Sequence, residues 1–336
     1  MSAGALGYIA YGPFENFPNS MYFLPFVSES MTANKNYILG NSIKGRRFEE
    51  DMYKGQTMIE GSITIEPTPI QLRRFLSYFC NEVQSDTLVS SHTTWDIAPL
   101  NDLVASGQEG NVVLRPDNIL DIMVTKAKGN SNTYQSDLFK GCAVKSLNLT
   151  CTAGALPTLE IGLIGWGHDF VDSAYTATYD IEDSFTWEQT SYTIGQGNGG
   201  YTSLSIAMDN QLEIRKPIGS EVYTEISSAY AADQLFIQYI GNQTVDVTGS
   251  VFEYTDERTG WIDNDDVNAV LYIEGPAVET GVNADFTCNM PKMQITEFSN
   301  PIPGPGVIET SFTGKGLYNI GSGSQIDFTI NTSGTY

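Results

Sequence analysis

GQTMIEGSITIEPTPI, running from Gly55 to Ile70, alternates apolar and polar side chains from Thr57 to Ile65 and then breaks at two prolines. Thr57, Ile59, Gly61, Ile63 and Ile65 fall on one face, and Met58, Glu60, Ser62, Thr64 and Glu66 on the other, as in a half-buried strand. The pattern returns once, in GNQTVDVTGSVFEYTDE from Gly241. Matching Gly249 and Ser250 to Gly61 and Ser62 sets Val245, Val247 and Val251 against Thr57, Ile59 and Ile63, so the apolar positions stay in phase. A second pair supports the match: CAVKSLNLT from Cys142 and CNMPKMQIT from Cys288 oppose Leu147, Leu149 and Thr150 to Met293, Ile295 and Thr296. A β-rich unit written twice implies repeated geometry, and two copies suit pseudo-symmetry within a closed ring better than a solenoid.

The first pair is 188 residues apart and the second 146, which leaves 42 extra residues between the paired strands of the first copy. Most of them fit in the polar, turn-rich stretch 84–118, read as a long loop. The 336 residues divide into a first domain, 1–171, and a second, 172–336, each long enough for its own core. Thr68 to Val83 is the strongest helix, with Thr68 as cap and Pro69 in the first turn. Its apolar stripe is Ile70, Leu72, Phe75, Leu76, Phe79 and Cys80, with Arg73, Arg74 and Ser77 opposite. The second copy has only TDERTGWIDNDDVN from Thr255 at this place, a reduced helix.

The net charge of −23 is uneven: residues 1–170 hold 12 basic and 17 acidic side chains, residues 171–336 hold 5 and 23. That balance opposes a phosphate-gripping groove. No run approaches the ~18 apolar residues of a membrane span. The opening has no Lys or Arg before Lys35, so no secretory signal is expected, and the chain is expected to fold in a cytoplasm. Cys80, Cys142, Cys151 and Cys288 lack CxxC spacing and sit in apolar patterns, which favours buried thiols over disulfides or zinc.

Catalytic patterns are weak. His92 and His168 have no spaced metal-ligand partners and read as surface residues. Asp263, Asp265 and Asp266 with Glu274 mimic part of a calcium loop, but Val267 and Asn268 break the ligand pattern, leaving a solvated acidic loop. GQGNGG from Gly195 has no following Lys-Ser/Thr and reads as a turn. No enzymatic activity, metal or cofactor is expected.

Three stretches in this order, GYIAYGPFENFPNSMYFLPFVSESMTANKNYILGNSIKGRR from Gly7, GQTMIEGSITIEPTPIQLRRFL from Gly55 and LFKGCAVKSLNLTCTAGALPTLEIGLIGWG from Leu138, resemble the tail tube (major tail) proteins of long-tailed bacteriophages. The resemblance covers most of residues 8–167 and, more faintly, 201–316. It implies a mainly β chain of two tandem tube-type β-sandwich or barrel domains, each with a flanking helix that is reduced in the second. It also implies a structural virion subunit of the tail whose inner sheets join between neighbours. Three duplicated chains would then close a pseudo-hexameric ring, and stacked rings would form the conduit for the genome. Implied partners are further copies of the chain, the tail tip or initiator, the tape-measure protein and the terminator, with DNA passing without specific binding and no membrane partner. Segments 35–55 and 84–118 are the candidate arms between rings. Because a tube must not hold DNA, the polar strand face is the candidate lumen: Glu60, Ser62, Thr64 and Glu66, with Asp246, Thr248 and Ser250. An outer, solvent-facing position for the same residues remains open. So do a secretion-system inner tube and, from another class, a virion-surface or secreted carbohydrate-binding β-sandwich, suggested by 4 Trp and 18 Tyr.

Overall fold

The computed structural model describes residues 7–14, 17–39, 52–80, 85–89, 92–99, 118–127, 134–171, 175–179, 182–195, 200–214, 237–252, 266–279, 282–300 and 309–333. The chain is mainly β and its pairings are antiparallel. Alternating segments become strands because burying one face of a pleat demands period two. Seven strands carry the first half: β1 (Tyr8–Pro13), β4 (Thr32–Leu39), β5 (Met52–Ile65), β8 (Leu120–Ala127), β9 (Tyr134–Thr152), β10 (Thr158–Gly165) and β11 (Gly167–Val171). Seven carry the second: β12 (Thr190–Ile194), β13 (Tyr201–Asp209), β16 (Thr244–Val251), β17 (Val267–Ile273), β20 (Phe286–Ser299), β21 (Thr310–Gly316) and β22 (Asp327–Ser333). Short strands fill in around them: β2 (Tyr22–Leu24), β3 (Ser28–Glu29), β6 (Ser85–Val89), β7 (His92–Ile97), β14 (Leu212–Ile214), β15 (Ile237–Tyr239), β18 (Ala277–Glu279) and β19 (Val282–Asn283).

Neighbour order is the same in both halves. A front sheet runs β4–β5–β10–β9 in the first and β13–β16–β21–β20 in the second. A back sheet runs β1–β8–β9–β11 and β12–β17–β20–β22. The long strands β9 and β20 belong to both sheets. β9 makes the passage at Gly141, where φ is +64° and an added Cβ would lie 2.2 Å from the Trp166 ring. The Gly141 amide, turned out of the ladder, donates to the Asp121 carboxylate at 2.9 Å. β20 makes it near Pro291, inside a register shift, where a residue without an N–H costs no ladder bond.

The halves are joined edge to edge. β9 pairs with β13 from Thr152 opposite Ser203 to Ser146 opposite Asp209, making one front sheet that crosses both halves. Behind it lies one continuous core, holding Ile59, Ile63, Leu147, Leu149 and Ile161 from the first half and Val245, Val247, Leu271 and Met293 from the second.

Helix α1 (Pro69–Cys80) follows β5 and starts as the sequence indicates. Thr68 and Gln71 form a reciprocal capping box: the Gln71 amide donates to Thr68 Oγ1 and the Thr68 amide to Gln71 Oε1. The Ile70 amide donates to Glu182 of the inter-half segment, and at the other end Asn210 Nδ2 donates to the Phe79 carbonyl at 2.7 Å. Both helix ends are thus tied to segments beyond β11. The arginines depart from expectation. Arg74 is buried with its guanidinium 3.8 Å from the Tyr22 ring centroid, and Arg73 lies 4.2 Å over Trp95. Flanking strands on both sides leave no open polar face, so the cations stack on aromatics.

The stretch 84–118, read as loop, opens as the β6–β7 hairpin, and β7 adds to β22 at the far edge of the second back sheet. Its Thr94 hydroxyl donates to Asn331 Oδ1 at 2.7 Å. Polar Thr-rich alternation hid the strand. Residues 255–265 of the expected reduced helix, residues 100–117 of the expected loop and residues 40–51 of arm 35–55 lie outside the described residues; Val267 and Asn268, at the end of that expected helix, open strand β17 instead.

Two measurements check this construction. At Gly61 an added Cβ would sit 2.6 Å from Met31 Cα and 2.7 Å from the Ser30 carbonyl oxygen, both backbone atoms that cannot step aside. Gly61→Ala is therefore expected to cost about 1–3 kcal/mol in chemical denaturation. Gly200→Ala, with nothing within 4 Å, should change stability by less than about 0.5 kcal/mol. The second concerns Asp121, whose pKa burial pushes up to about 7 against the opposing pull of the Gly141 amide and Lys140. The folded state then holds a proton that the unfolded chain, near about 3.9, has released, so this group costs stability as pH rises from about 4 to 7. Asp121→Asn should match the parent near pH 4 and melt higher above pH 7; equal melting at both pH values would exclude the buried protonated acid.

Candidate functional site

The front sheet has one apolar face and one mostly polar face, on which Ile164, opposite Glu60, is buried in a small separate cluster with Leu212 and Ile214. In β5, Ile59, Ile63 and Ile65 are buried, while Glu60 is exposed and Ser62 and Thr64 are half-buried on the other side. In β16, Val245, Val247 and Val251 are buried, with Asp246, Thr248 and Ser250 opposite. The expected lumen residues of both halves therefore share one face of one sheet. Glu66 is exposed one residue beyond the end of β5.

Register aligns these residues in rows across the strands. One row runs Ser28, Thr64, Glu160, Asn148, Ala207, Asp246, Lys315 and Gln294, each directly opposite the next. The adjacent row is Thr158, Thr150, Ser205, Thr248 and Thr313, all hydroxyls. A third is Thr152, Ser203, Ser250, Ser311 and Ser299. Cross-strand hydrogen bonds tie the face where the halves meet. Thr150 Oγ1 donates to Ser205 Oγ at 3.3 Å, and Ser205 Oγ to Asn148 Oδ1 at 2.6 Å. At the β4 edge, the Ser62 amide donates to Ser30 Oγ at 2.9 Å and Thr32 Oγ1 to the Glu60 carbonyl at 3.0 Å. Lys315 lies 3.9 Å from Asp246, both about half exposed, a screened contact with little hold on either charge.

Small hydroxyls and spaced carboxylates in rows form a hydrated surface that offers anions hydrogen-bond donors of low affinity while its acids repel them. Sequence reading located β5 and β16 on this face but not the contributions of Glu160, Asn148, Thr150, Ser203, Ser205 and Thr313. Their own alternation was visible in β9, β10, β13 and β21. What joins them is strand adjacency between residues far apart in sequence.

Other groups separate from this face. His168, expected at the surface, is largely buried between the Phe139 and Phe170 rings, with Nε2 3.1 Å from Asp137 Oδ1. The carboxylate comes from β9, which β11 meets only through pairing, so spacing could not reveal it. His92 pairs through its backbone with Val89 and Ser333. All four cysteines are free and buried, and burial pushes the Cys142 and Cys288 thiols up, away from reactivity. Of the acidic loop, Asp266 is described and pairs with Lys292 at 2.9 Å; Asp263 and Asp265 lie outside the described residues. Among the described residues no three His, Cys, Asp or Glu side chains come together as a metal site, and no helix is long and apolar enough to cross a membrane. Among the described residues the exposed rings include Tyr37 on β4, Phe170 on β11, Trp187 before β12 and Tyr318 after β21.

No curated protein matches the chain. A family model described as phage tail tube protein matches residues 2–316, spanning both halves of the front sheet. A mainly β chain with this sheet across both halves, matched over nearly its whole length, belongs to the phage tail tube protein family, as a structural component of the virion tail.

Proposed function

We propose that the chain is a duplicated tube subunit, its two domains meeting near residue 172, and that three copies close a pseudo-hexameric ring whose stacks form the conduit for genome delivery. The observation that carries this is the polar face of the front sheet, to which both halves contribute equivalent strands in the same order. Two equivalent halves per chain stand in for two subunits, so three chains supply six sheet segments. The front face lines the bore and the back sheets with α1 form the wall. Glu60, Ser62, Thr64, Asp246, Thr248 and Ser250 then face the passing duplex, joined by Glu160 and the hydroxyl rows.

Physical chemistry favours such a lining. Each cation that neutralises a phosphate releases counterions and adds a salt-dependent binding step, so a bore that must pass thousands of phosphates works best when hydroxylic and weakly acidic. The tail tip or initiator, tape-measure and terminator proteins would meet the ends or interior of this tube.

Glu60→Lys combined with Asp246→Lys tests the lining, because both positions are solvent-facing and should tolerate the change in folding. Electron microscopy is expected to show hollow tubes of unchanged diameter for both proteins. Variant tubes should retain duplex DNA at low ionic strength and release it as salt rises, while unmodified tubes retain none. Equal retention by both, or none by either, would place these residues outside the bore.

A further inference from the structure

Where the end of β9 meets the start of β13, at Thr152 and Ser203, the second half opens into a cleft of about 330 Å³. Small-molecule pockets begin at roughly this size, about 300–1,000 Å³. We infer that the cleft is a binding site for an organic cation, a primary ammonium on an alkyl stem, held between aromatic rings and carboxylates. The site goes beyond the tube reading, because every residue in it comes from one chain and no second copy is needed. Cys151 of β9, Tyr192 of β12 and Leu204 of β13 line it as buried side chains. Trp187, 41% exposed, joins them from the turn before β12, and half-buried Tyr201 from the front sheet. The Tyr201 ring meets Tyr192 nearly at right angles, with centroids 5.0 Å apart, and Phe312 at 6.2 Å. The turn that carries Trp187 is fixed before any ligand arrives. Thr186 Oγ1 donates to Gln189 Oε1 at 2.8 Å, Thr190 Oγ1 to the Thr186 carbonyl at 3.2 Å, and the Glu274 amide to the Gln189 carbonyl at 2.9 Å.

Charge selects the ligand. Glu188 lines the cleft, and a second carboxylate stands at its margin, since Thr202 Oγ1 donates to Glu309 Oε1 at 2.5 Å. The described residues that line the cleft include no Lys, Arg or His. Two acids without a base repel an anion, and the net charge of −23 adds to that field. Aromatic faces attract a cation through their quadrupole, most strongly that of Trp. A bare metal ion is poorly served, because among the described residues no three His, Cys, Asp or Glu side chains come together. An alkylammonium suits each part of the lining. Its stem covers apolar floor, and its three N–H donors match Glu188 and the Ser191, Thr202 and Ser203 hydroxyls. Two sources supply this chemistry, a free polyamine and a lysine side chain.

n-Butylammonium, titrated into dilute, unassembled protein at fixed ionic strength, is expected to shift the Trp187 indole N–H resonance along a saturating curve; Trp187→Ala identifies that resonance by its loss. Binding to the variants is followed by saturation-transfer NMR on the probe. Trp187→Ala leaves the charge unchanged and should weaken binding about fivefold, while Trp187→Phe should keep most of it. Glu188→Gln keeps the shape and should weaken binding about threefold. Both positions are exposed, so unchanged thermal melting is expected to show that the variants fold. Equal binding by the parent, Trp187→Ala and Glu188→Gln would mean diffuse attraction to an acidic protein and overturn the site. So would tighter binding of N-acetylglucosamine that Glu188→Gln leaves unchanged, which would make this a sugar cleft. Competition against the probe separates the sources: stronger displacement by spermidine assigns a free polyamine, and stronger displacement by N-acetyl-lysine methylamide assigns a lysine side chain. The titration needs no tubes, so loss of the site leaves the tube reading standing, and absence of tubes leaves the site standing.

Discussion

Hydrogen bonding between β9 and β13 is the contact on which the molecule depends. Without it there are two small front sheets, each with an open edge; with it there is a single sheet whose polar rows run unbroken from Ser28 to Gln294. The arrangement behind the sheet derives from this junction. A front sheet continuous across both halves needs a continuous apolar backing, and the core accordingly mixes Leu147 and Leu149 with Val245, Val247 and Met293. The helix fits the same plan, since its C-terminal carbonyl at Phe79 is met by Asn210, which comes directly after β13.

Much of this was legible because burial of one sheet face imposes period two. Ile59, Ile63, Val245 and Val247 announced the core face, and Glu60, Ser62, Asp246 and Thr248 the opposite one. Thr68 and Pro69 announced the start of the helix through capping chemistry that is local by nature, and Gln71 completes the box in the structure. Failures came where distance along the chain mattered. Arg73 and Arg74 looked solvent-facing, because no local pattern tells that Trp95 and Tyr22 will be folded over them. His168 looked alone for the same reason, and the β7 strand looked like loop because its partner, β22, lies at the other end of the chain.

The candidate site shows the same division. Which residues of β5 and β16 are polar-facing was readable one strand at a time. That Glu160, Asn148 and Ser205 stand beside them was not, since cross-strand neighbours are set by topology.

The attachment of β7 to β22 has a consequence for biosynthesis. Thr94 and Asn331 are 237 residues apart. At ribosomal speeds of about 5–20 residues per second, the early hairpin waits on the order of 10–50 s for the strand that completes its sheet. During that interval the edge of β7 that β22 later covers has no partner strand from the same chain. Its polar side chains suit this delay, since an apolar edge waiting so long would recruit the wrong neighbour. The composition that disguised β7 as a loop is thus the composition that suits an edge waiting for β22.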